Sequence, residues 1–140
     1  MADTNDTAMG EQALASVIAA WNDGSIQWNA DGLARVYTED ALMFAGRPGH
    51  AVGREAIRAY FASYDGVIES GTMQFVDPKI VRLAPDCALI QGYADFSFRL
   101  AGGEQTRSVL RATLVVRKDG DTWRIRQHHF SATPSTPPIR

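Results

Sequence analysis

Residues 87–131 read CALIQGYADFSFRLAGGEQTRSVLRATLVVRKDGDTWRIRQHHFS. Apolar and polar residues alternate over three segments, at about 87–100, 105–118 and 122–131, and this two-residue period is typical of β-strands. The separators Ala101-Gly102-Gly103 and Asp119-Gly120-Asp121 have the composition of tight turns. Because such short connections join antiparallel neighbours, this stretch predicts a meander of long strands.

A fourth long strand precedes the meander, at about residues 70–83, and Ala84-Pro85-Asp86 separates the two. Asp77-Pro78 interrupts it, and because proline donates no hydrogen bond to a sheet, we expect a bulge or kink there. Strands of this length coil strongly. A kinked sheet that curls around a helix leaves a cavity at its open end, so the sequence predicts a pocket.

The residues before position 66 follow a helical period instead. Apolar residues three and four apart predict a first helix with the stripe Leu14, Val17, Ile18 and Trp21. Asp6 or Thr7 is placed to cap its start, after a frayed segment at 1–8. Asn22-Asp23-Gly24-Ser25 weakens the pattern and marks an end, although Ile26 and Trp28 are spaced to resume it.

Two shorter helices follow the first. Asp31 is placed to cap the second helix, which ends at Thr38-Glu39-Asp40 and has the apolar stripe Leu33, Val36 and Tyr37. The third opens at Gly53-Arg54-Glu55, stops at Asp65-Gly66 and has the stripe Ile57, Tyr60, Phe61 and Tyr64. Between these two helices, residues 41–45 predict a short buried strand and residues 46–50 a loop.

Helices that precede a long meander indicate the α+β class, with the helices packed on one face of the sheet. At 140 residues the chain fits one domain, which we place at 1–132. The Pro-rich tail at 133–140 cannot continue a sheet and is expected to be flexible.

Composition argues against several classes of function. A net charge of −2 and an isoelectric point near 5.9 predict no nucleic-acid partner. No stretch approaches the roughly 18 apolar residues of a membrane span and no signal-peptide pattern is present, so we expect no membrane partner and a cytoplasmic protein. The single cysteine, Cys87, excludes an internal disulfide and is expected to be a buried, inert thiol. Without metal-ligand spacing or a Gly-rich phosphate loop, we expect no metal and no cofactor.

Three segments carry a resemblance to a known family: WNADGLARVYTEDA at 28–41, GREAIRAYF at 53–61 and WRIRQHHFS at 123–131. They resemble a helix-to-strand passage, the third helix and the closing strand of the nuclear transport factor 2-like superfamily, in its SnoaL-like, SgcJ/EcaC-like and kinase II association-domain-like branches. The resemblance spans about residues 11–132. It implies a cone-shaped α+β barrel, in which three N-terminal helices pack in a curved, mostly antiparallel sheet, and a homodimer.

The same resemblance does not imply one activity, because the superfamily includes isomerases, dehydratases, cyclases, epoxide hydrolases and binding modules. The general-base aspartate of the ketosteroid isomerase branch aligns with Ala45, and the oxyanion-hole tyrosine of that branch aligns near Gly24. An epoxide hydrolase of the limonene type needs an aspartate on the last strand, where this chain has Gln127 and two histidines. Both of these activities are therefore disfavoured.

The closing strand offers a candidate proton carrier. Strict alternation places Trp123, Ile125, Gln127 and His129 on one face, and the first two belong against the helices. We therefore expect His129 to point into the cavity as a general acid or base. The alternative is a neutral histidine held by hydrogen bonds in a mixed core.

A polar stripe on the 87–100 strand consists of Gln91, Tyr93, Asp95 and Ser97. It is either a solvent face or a pocket wall. In the second case Asp95 and His129 form an acid/base pair, and Tyr93 donates a hydrogen bond to a substrate oxygen.

Arg111 lies at the centre of the next strand, where it needs an anionic ligand or an ion pair with Asp95 or Glu69. The residues that we predict to contact a ligand are Trp28, Met43, Tyr60, Tyr64, Gln91, Arg111 and Gln127. The alternative for the aromatic members is a purely structural core.

These observations lead to three hypotheses. The first is a homodimer that binds a small, largely apolar organic ligand with an oxygen function and acts on it, without a cofactor, as an isomerase, cyclase or dehydratase. The second is a non-catalytic ligand-binding or oligomerisation module. The third, suggested by the SgcJ/EcaC-like resemblance, is an auxiliary protein of polyketide-type biosynthesis.

Overall fold

The computed structural model describes residues 4–139 and confirms the α+β class. Three helices and two strands make up the N-terminal part: α1 (Thr4–Ser25), α2 (Ala30–Ala34), β1 (Tyr37–Phe44), β2 (Ala51–Val52) and α3 (Arg54–Ala62). Four long strands follow: β3 (Ile68–Ala84), β4 (Cys87–Leu100), β5 (Gln105–Asp119) and β6 (Thr122–Ser131). The bounds of these four strands lie within two residues of the predicted ones.

All six strands form one curved, unclosed sheet in the order β2-β1-β6-β5-β4-β3. Strands β3 to β6 are the predicted antiparallel meander. Strand β1 runs parallel to β6, and the short β2, which the sequence did not predict, pairs antiparallel with β1. The helices cover one face of this sheet, so the apolar core lies between them and the inner faces of β3 to β6.

The predicted irregularity at Asp77-Pro78 is confirmed. Pairing between β3 and β4 shifts register between Val76 and Lys79, and Asp77 adopts a φ of 54°. Gly92 lies opposite this bulge, and a Cβ atom there would come within 2.8 Å of the Val76 carbonyl oxygen. The bulge therefore needs a glycine on the facing strand.

Helix α1 differs from its prediction at both ends. It begins at Thr4, so the predicted caps Asp6 and Thr7 lie inside it, and positions 1–3 of the predicted frayed segment fall outside the described residues. It also continues through positions 22–25. There, the Asn22 side chain donates to the Met73 carbonyl oxygen at 3.1 Å and accepts from the Met73 N–H at 2.8 Å. Polar residues that indicated a helix end thus connect α1 to β3.

The second helix is shorter than predicted and has a different cap. Asn29 caps α2, because its side-chain oxygen accepts a hydrogen bond from the Gly32 N–H at 3.1 Å, and Asp31 lies in the first turn instead. Tyr37 begins β1 rather than ending a helix, and residues 38–40 belong to the same strand. This change follows from the pairing with β6, since the Ile125 N–H donates to the Val36 carbonyl oxygen at 2.8 Å.

Two further predictions concern Cys87 and the tail. The Cys87 side chain is half-buried rather than fully buried, and desolvation raises the pKa of its thiol. Residues 132–139 are exposed and belong to no helix or strand. The division into a domain at 1–132 and a flexible tail at 133–140 stays a prediction, and position 140 falls outside the described residues.

Candidate ligand-binding site

A cavity of about 260 Å³ lies between the helices and the concave face of the sheet. Its wall is dominated by aromatic side chains: Trp21, Trp28, Tyr60, Phe61, Tyr64, Phe96, Phe98 and Phe130. The rest of the lining is made of aliphatic side chains, Gly46 and Ser108. Aromatic residues at helical spacing on α1 and α3 and at alternate positions on β4 thus meet around one space.

Trp28 connects the helices to the sheet at the side of the cavity. It lies in the turn between α1 and α2 with a φ of 46°, a left-handed conformation that is unusual for a bulky side chain. Its indole Nε1–H donates to the Phe61 carbonyl oxygen at 3.0 Å. Its ring meets those of Phe61, Tyr64 and Phe98 edge to face at 5.9–6.2 Å. These contacts hold the ring in the wall.

The outer end of the cavity, which we call the mouth, carries two tyrosine hydroxyl groups beside an exposed loop. The Gly46 N–H of this loop donates to the Tyr60 hydroxyl oxygen at 3.1 Å, and the Tyr64 hydroxyl lies beside the same glycine. Desolvation raises the pKa of Tyr60, so its phenol keeps its proton. The guanidinium of Arg47 covers the Tyr64 ring at 4.2 Å. The mouth therefore presents the hydroxyl groups of Tyr60 and Tyr64 beside each other.

The buried end is closed by six aromatic rings that contact one another in a circuit, which we call the inner ring. Its members, in order, are Trp21, Phe96, Phe130, His128, Tyr37 and Phe61, with neighbouring centroids 4.8–6.3 Å apart. Four of them line the cavity, and Tyr37 and His128 complete the circuit behind it. Arg54 of α3 fixes the start of β1 by donating to the Tyr37 carbonyl oxygen at 2.9 and 2.7 Å.

Tyr37 and His128 form a buried polar pair. The Tyr37 hydroxyl lies 2.8 Å from His128 Nδ1, and both side chains are 0 % exposed. Desolvation, with a smaller contribution from His129, lowers the pKa of His128 to about 3, and desolvation raises that of Tyr37. Both groups are therefore neutral near pH 7. Among the described residues, two buried side-chain polar atoms form no hydrogen bond, and both belong to the inner ring: Trp21 Nε1 and His128 Nε2.

The prediction that His129 points into the cavity is wrong, and a β-bulge is the reason. Val115 of β5 pairs with Gln127 while Val116 pairs with Ile125, so Arg126 is an extra residue in β6. Beyond this bulge the faces exchange: His128 is buried and His129 is exposed. A signal was available, because the apolar residues Ile125 and Phe130 lie five positions apart and strict alternation cannot place both on one face.

The polar stripe on β4 lies on the outer face of the sheet, so its interpretation as a pocket wall is wrong. Tyr93 is 41 % exposed, and Gln91 and Arg111 are exposed as well. Asp95 accepts hydrogen bonds from Arg107 at 3.0 and 2.8 Å, and this guanidinium lowers the pKa of the Asp95 carboxyl. Arg107, and not Arg111, is thus the ionic partner of Asp95.

The predicted acid/base pair is also separated along the sheet. Asp95 pairs with Val109 of β5, whereas His129 pairs with Thr113, so an intervening strand and four positions lie between them. The predicted partner of Arg111 in β3 is engaged elsewhere too, since Glu69 lies 3.6 Å from Arg99. The structure therefore does not bring the predicted acid/base pair, Asp95 and His129, together.

The structure divides the other predicted ligand contacts into two groups. Trp28, Tyr60 and Tyr64 lie in the cavity wall, and their contact with a ligand stays a prediction. Met43 is fully buried opposite His128 and faces a neighbouring cleft instead, while Gln127 is half-buried outside the cavity lining. Tyr37 and His128 were not among the predicted site residues, because the pairing of β1 with β6 decides their position.

Among residues 7–139, whose side chains the structure describes, no group of three or more histidine, cysteine, aspartate or glutamate side chains is placed to hold a metal ion. None of the helices in this part of the chain is long and apolar enough to cross a membrane.

The model of the SnoaL-like domain family matches residues 14–135. No curated protein matches the chain. A nuclear transport factor 2-like superfamily protein from Salmonella enterica has a similar structure, with a TM-score of 0.72, 19 % identity and coverage of 95 % of this chain and 97 % of that one.

Two other solved structures have a similar fold over most of their length. A ketosteroid isomerase-like protein from Erwinia carotovora superimposes with a TM-score of 0.68 and 19 % identity, over 94 % of this chain and 100 % of that one. A protein from Xanthomonas campestris, provisionally identified as a calcium/calmodulin-dependent protein kinase II association domain, superimposes with a TM-score of 0.70 and 21 % identity, over 93 % and 86 %. At these identities the likeness establishes the fold: helices in the cone of a curved sheet.

Proposed function

Since the chain belongs to the SnoaL-like domain family, within the nuclear transport factor 2-like superfamily, we propose that it binds one small organic molecule in its aromatic cavity. The observation that carries this proposal is the wall of eight aromatic side chains around about 260 Å³. Small-molecule sites are concave and mostly apolar, with a few polar groups that orient the ligand. The ligand is a planar, largely apolar molecule of roughly one or two fused rings with an oxygen function.

The mouth supports a ligand with an oxygen atom. The Tyr60 and Tyr64 hydroxyl groups lie side by side at Gly46, and the phenol of Tyr60 stays protonated. Either hydroxyl can donate to an oxygen of a ligand that fills the apolar space behind it. The position of these two donors fixes the orientation in which such a molecule enters.

Binding is better supported than catalysis. The residues that line the cavity include no carboxylate, imidazole, amine, guanidinium or thiol. A general acid or base must lie within hydrogen-bond reach of the reacting atom, and Asp95 and His129 lie on the other side of the sheet. We therefore favour a non-catalytic ligand-binding protein. The isomerase, cyclase or dehydratase activity and the auxiliary role in polyketide-type biosynthesis stay hypotheses.

Calorimetric titration with tetralin, a bicyclic hydrocarbon, tests the cavity directly. Leu110 lines the cavity, and its neighbour Val109 is exposed on the outer face of the same strand. We expect Leu110→Trp to fill the space and to weaken binding at least about tenfold, while Val109→Trp leaves the Kd unchanged. If tetralin does not bind the wild-type protein, or binds both variants equally, the proposal is wrong.

We further propose that the outer face of the sheet joins two copies of the chain. Apolar side chains are exposed there around Tyr93, which pairs with Val76 of β3, and Val109 of β5 is exposed two positions along from Arg111, the β5 partner of Tyr93. Exposed apolar patches of this kind mark interaction surfaces. A homodimer predicts twice the chain mass in light scattering, and Tyr93→Glu should yield the monomer. A monomeric wild-type protein would contradict the proposal.

A further inference from the structure

A second cleft, of about 360 Å³, lies outside the aromatic cavity and is bordered by the loop at residues 45–50 and by helix α3. We call it the loop cleft. The apolar part of its lining includes Met43, Ala45, Pro48, Ala51, Ala56 and Ala59. The polar side chains of its lining are those of Arg47, His50, Tyr60 and Ser63. The lining therefore combines small apolar groups with a positive charge, and no carboxylate is among its residues.

Arg47 supplies this charge, and its contacts are with neutral groups. Its Nε–H donates to the Ser63 hydroxyl at 2.8 Å, its Nη2 donates to the Ser63 carbonyl oxygen at 3.3 Å, and its guanidinium covers the Tyr64 ring at 4.2 Å. Among the side chains that the structure describes, no carboxylate forms an ion pair with Arg47, whereas Arg54 and Arg58 of α3 each have one. A guanidinium has five N–H groups, so Arg47 keeps donors for a ligand.

The guanidinium is held in place before a ligand binds. The Ser63 hydroxyl donates to the Tyr60 carbonyl oxygen at 2.6 Å, which leaves its oxygen to accept from Arg47. A donor that is already fixed loses little conformational freedom on binding. The Ser63 carbonyl belongs to the C-terminal end of α3, but a helix end carries only about half a negative charge. The site therefore keeps a net positive charge.

His50 adds a second polar group to the same cleft. Its imidazole stacks on the Phe44 ring, with centroids 4.3 Å apart and an angle of 15° between the planes. An imidazole carries an N–H donor in either protonation state. The planar fork of a guanidinium matches the two oxygens of a carboxylate, and the alanine side chains of the lining can contact a short hydrocarbon chain.

We propose that the loop cleft binds a small aliphatic carboxylate, whose oxygens accept hydrogen bonds from Arg47 and whose hydrocarbon chain lies on the alanine side chains. This site is separate from the aromatic cavity and does not depend on the proposed function. Because Arg47 and His50 are exposed, water screens the charge, and we expect a Kd in the millimolar range.

Three probes separate the effects of charge and of hydrocarbon: butyrate, butyramide, which has nearly the same shape without the charge, and acetate, which has the charge with a shorter chain. NMR titration of the ¹⁵N-labelled full chain at constant ionic strength follows the Arg47 Nε–H and the amide of Gly49, which also lines the loop cleft. We expect butyrate to shift both signals with saturation and butyramide to leave them unchanged. Butyrate should bind at least about twofold more tightly than acetate, because its methylene groups leave water.

Three results of this titration would overturn the proposal. They are the absence of a saturable shift with butyrate, equal shifts with butyramide, and equal Kd values for butyrate and acetate. The indole Nε1–H of Trp28 reports on the aromatic cavity, whose wall contains this ring. A butyrate-induced shift of that signal without one at Arg47 would place the carboxylate in the cavity and would also overturn the assignment.

Two variants then test whether Arg47 itself is the binding group. Arg47→Gln removes the charge from an exposed side chain and should weaken butyrate binding, followed at the Gly49 amide, at least about threefold. Lys118→Gln is the matched control, because it removes the same charge from an exposed position near the end of β5 and should leave the Kd within about 1.5-fold. Equal weakening by both variants would mean that the net charge alone attracts the anion, and the proposal would fail.

Discussion

The buried imidazole of His128 predicts how the stability of the protein depends on pH. Its pKa is about 3 in the folded protein, against 6.5 for an unperturbed histidine. As the pH falls below 6.5, the unfolded chain binds a proton at this position and the folded protein does not. The free energy of unfolding therefore falls with falling pH between these two values, and the contribution of the neutral imidazole is complete only above 6.5.

The size of the effect follows from proton linkage. Each pH unit in this window lowers the free energy of unfolding by at most about 1.4 kcal/mol. Between pH 6.5 and about pH 5 the loss is about 2 kcal/mol, which corresponds to a decrease in Tm of about 5–10 °C for a domain of this size. We stop at pH 5 because the carboxyl groups of Asp31, Asp40 and Asp95, whose pKa values are lowered from 3.8, change the free energy of unfolding only at lower pH.

Urea unfolding at pH 7, 6 and 5, followed by circular dichroism, measures this slope. His128→Gln removes the titrating group, so its free energy of unfolding should fall by about 2 kcal/mol less than that of the wild-type protein over the window. The comparison uses slopes, and a lower absolute stability of the variant does not affect it. His129→Gln keeps the buried imidazole and should keep the wild-type slope. Equal slopes for wild type and His128→Gln would refute the reasoning.

Three further substitutions test features of the sheet and its connection to α1. Asn22→Asp replaces the donor to the Met73 carbonyl by an acceptor and should lower the free energy of urea unfolding by about 1–3 kcal/mol; unchanged stability would contradict the role of this bridge. Asp77→Gly removes the side chain from a residue with left-handed backbone conformation and should raise the free energy of unfolding by up to about 1 kcal/mol. A lower Tm of this variant would contradict the prediction. Gly92→Ala places a methyl group 2.8 Å from the Val76 carbonyl oxygen and should lower Tm, with a cost of about 1–3 kcal/mol; an unchanged Tm would show that the bulge can yield.

The long strands were predictable because their signals are local. Alternation on β4 and β5 and the turns that bound them can be read within about fifteen residues, and the predicted bounds of β4 and β6 agree with the structure. The end of α1 could not be read in this way. Asn22 and Ser25 have the composition of a helix end, and their partners Met73 and Gly71 lie about fifty positions further along the chain.

The candidate site was predictable only in part, for a related reason. Trp28, Tyr60 and Tyr64 were identified as wall residues by their aromatic character, which depends little on register. For His128 and His129, one extra residue at Arg126 decides which imidazole is buried, and that bulge is visible only in the pairing with β5. The polar stripe that begins at Gln91 faces away from the cavity because the helices pack on the other face of the sheet, and the sequence of the strand does not determine which face they cover.

The parallel pairing of β1 with β6 also has a consequence for the order of folding. Tyr37 and His128 are 91 positions apart, and the whole of β3, β4 and β5 lies between them. Joining such distant segments requires the closure of a long loop, which slows folding. On the ribosome, the three helices and β1 emerge before β6, the strand that pairs with β1, has been synthesised. Strands β3, β4 and β5 can form their hairpins before β6 appears. The buried end of the cavity is therefore among the last parts of the molecule to form, and a nascent chain completes its cavity only when its closing strand has left the exit tunnel.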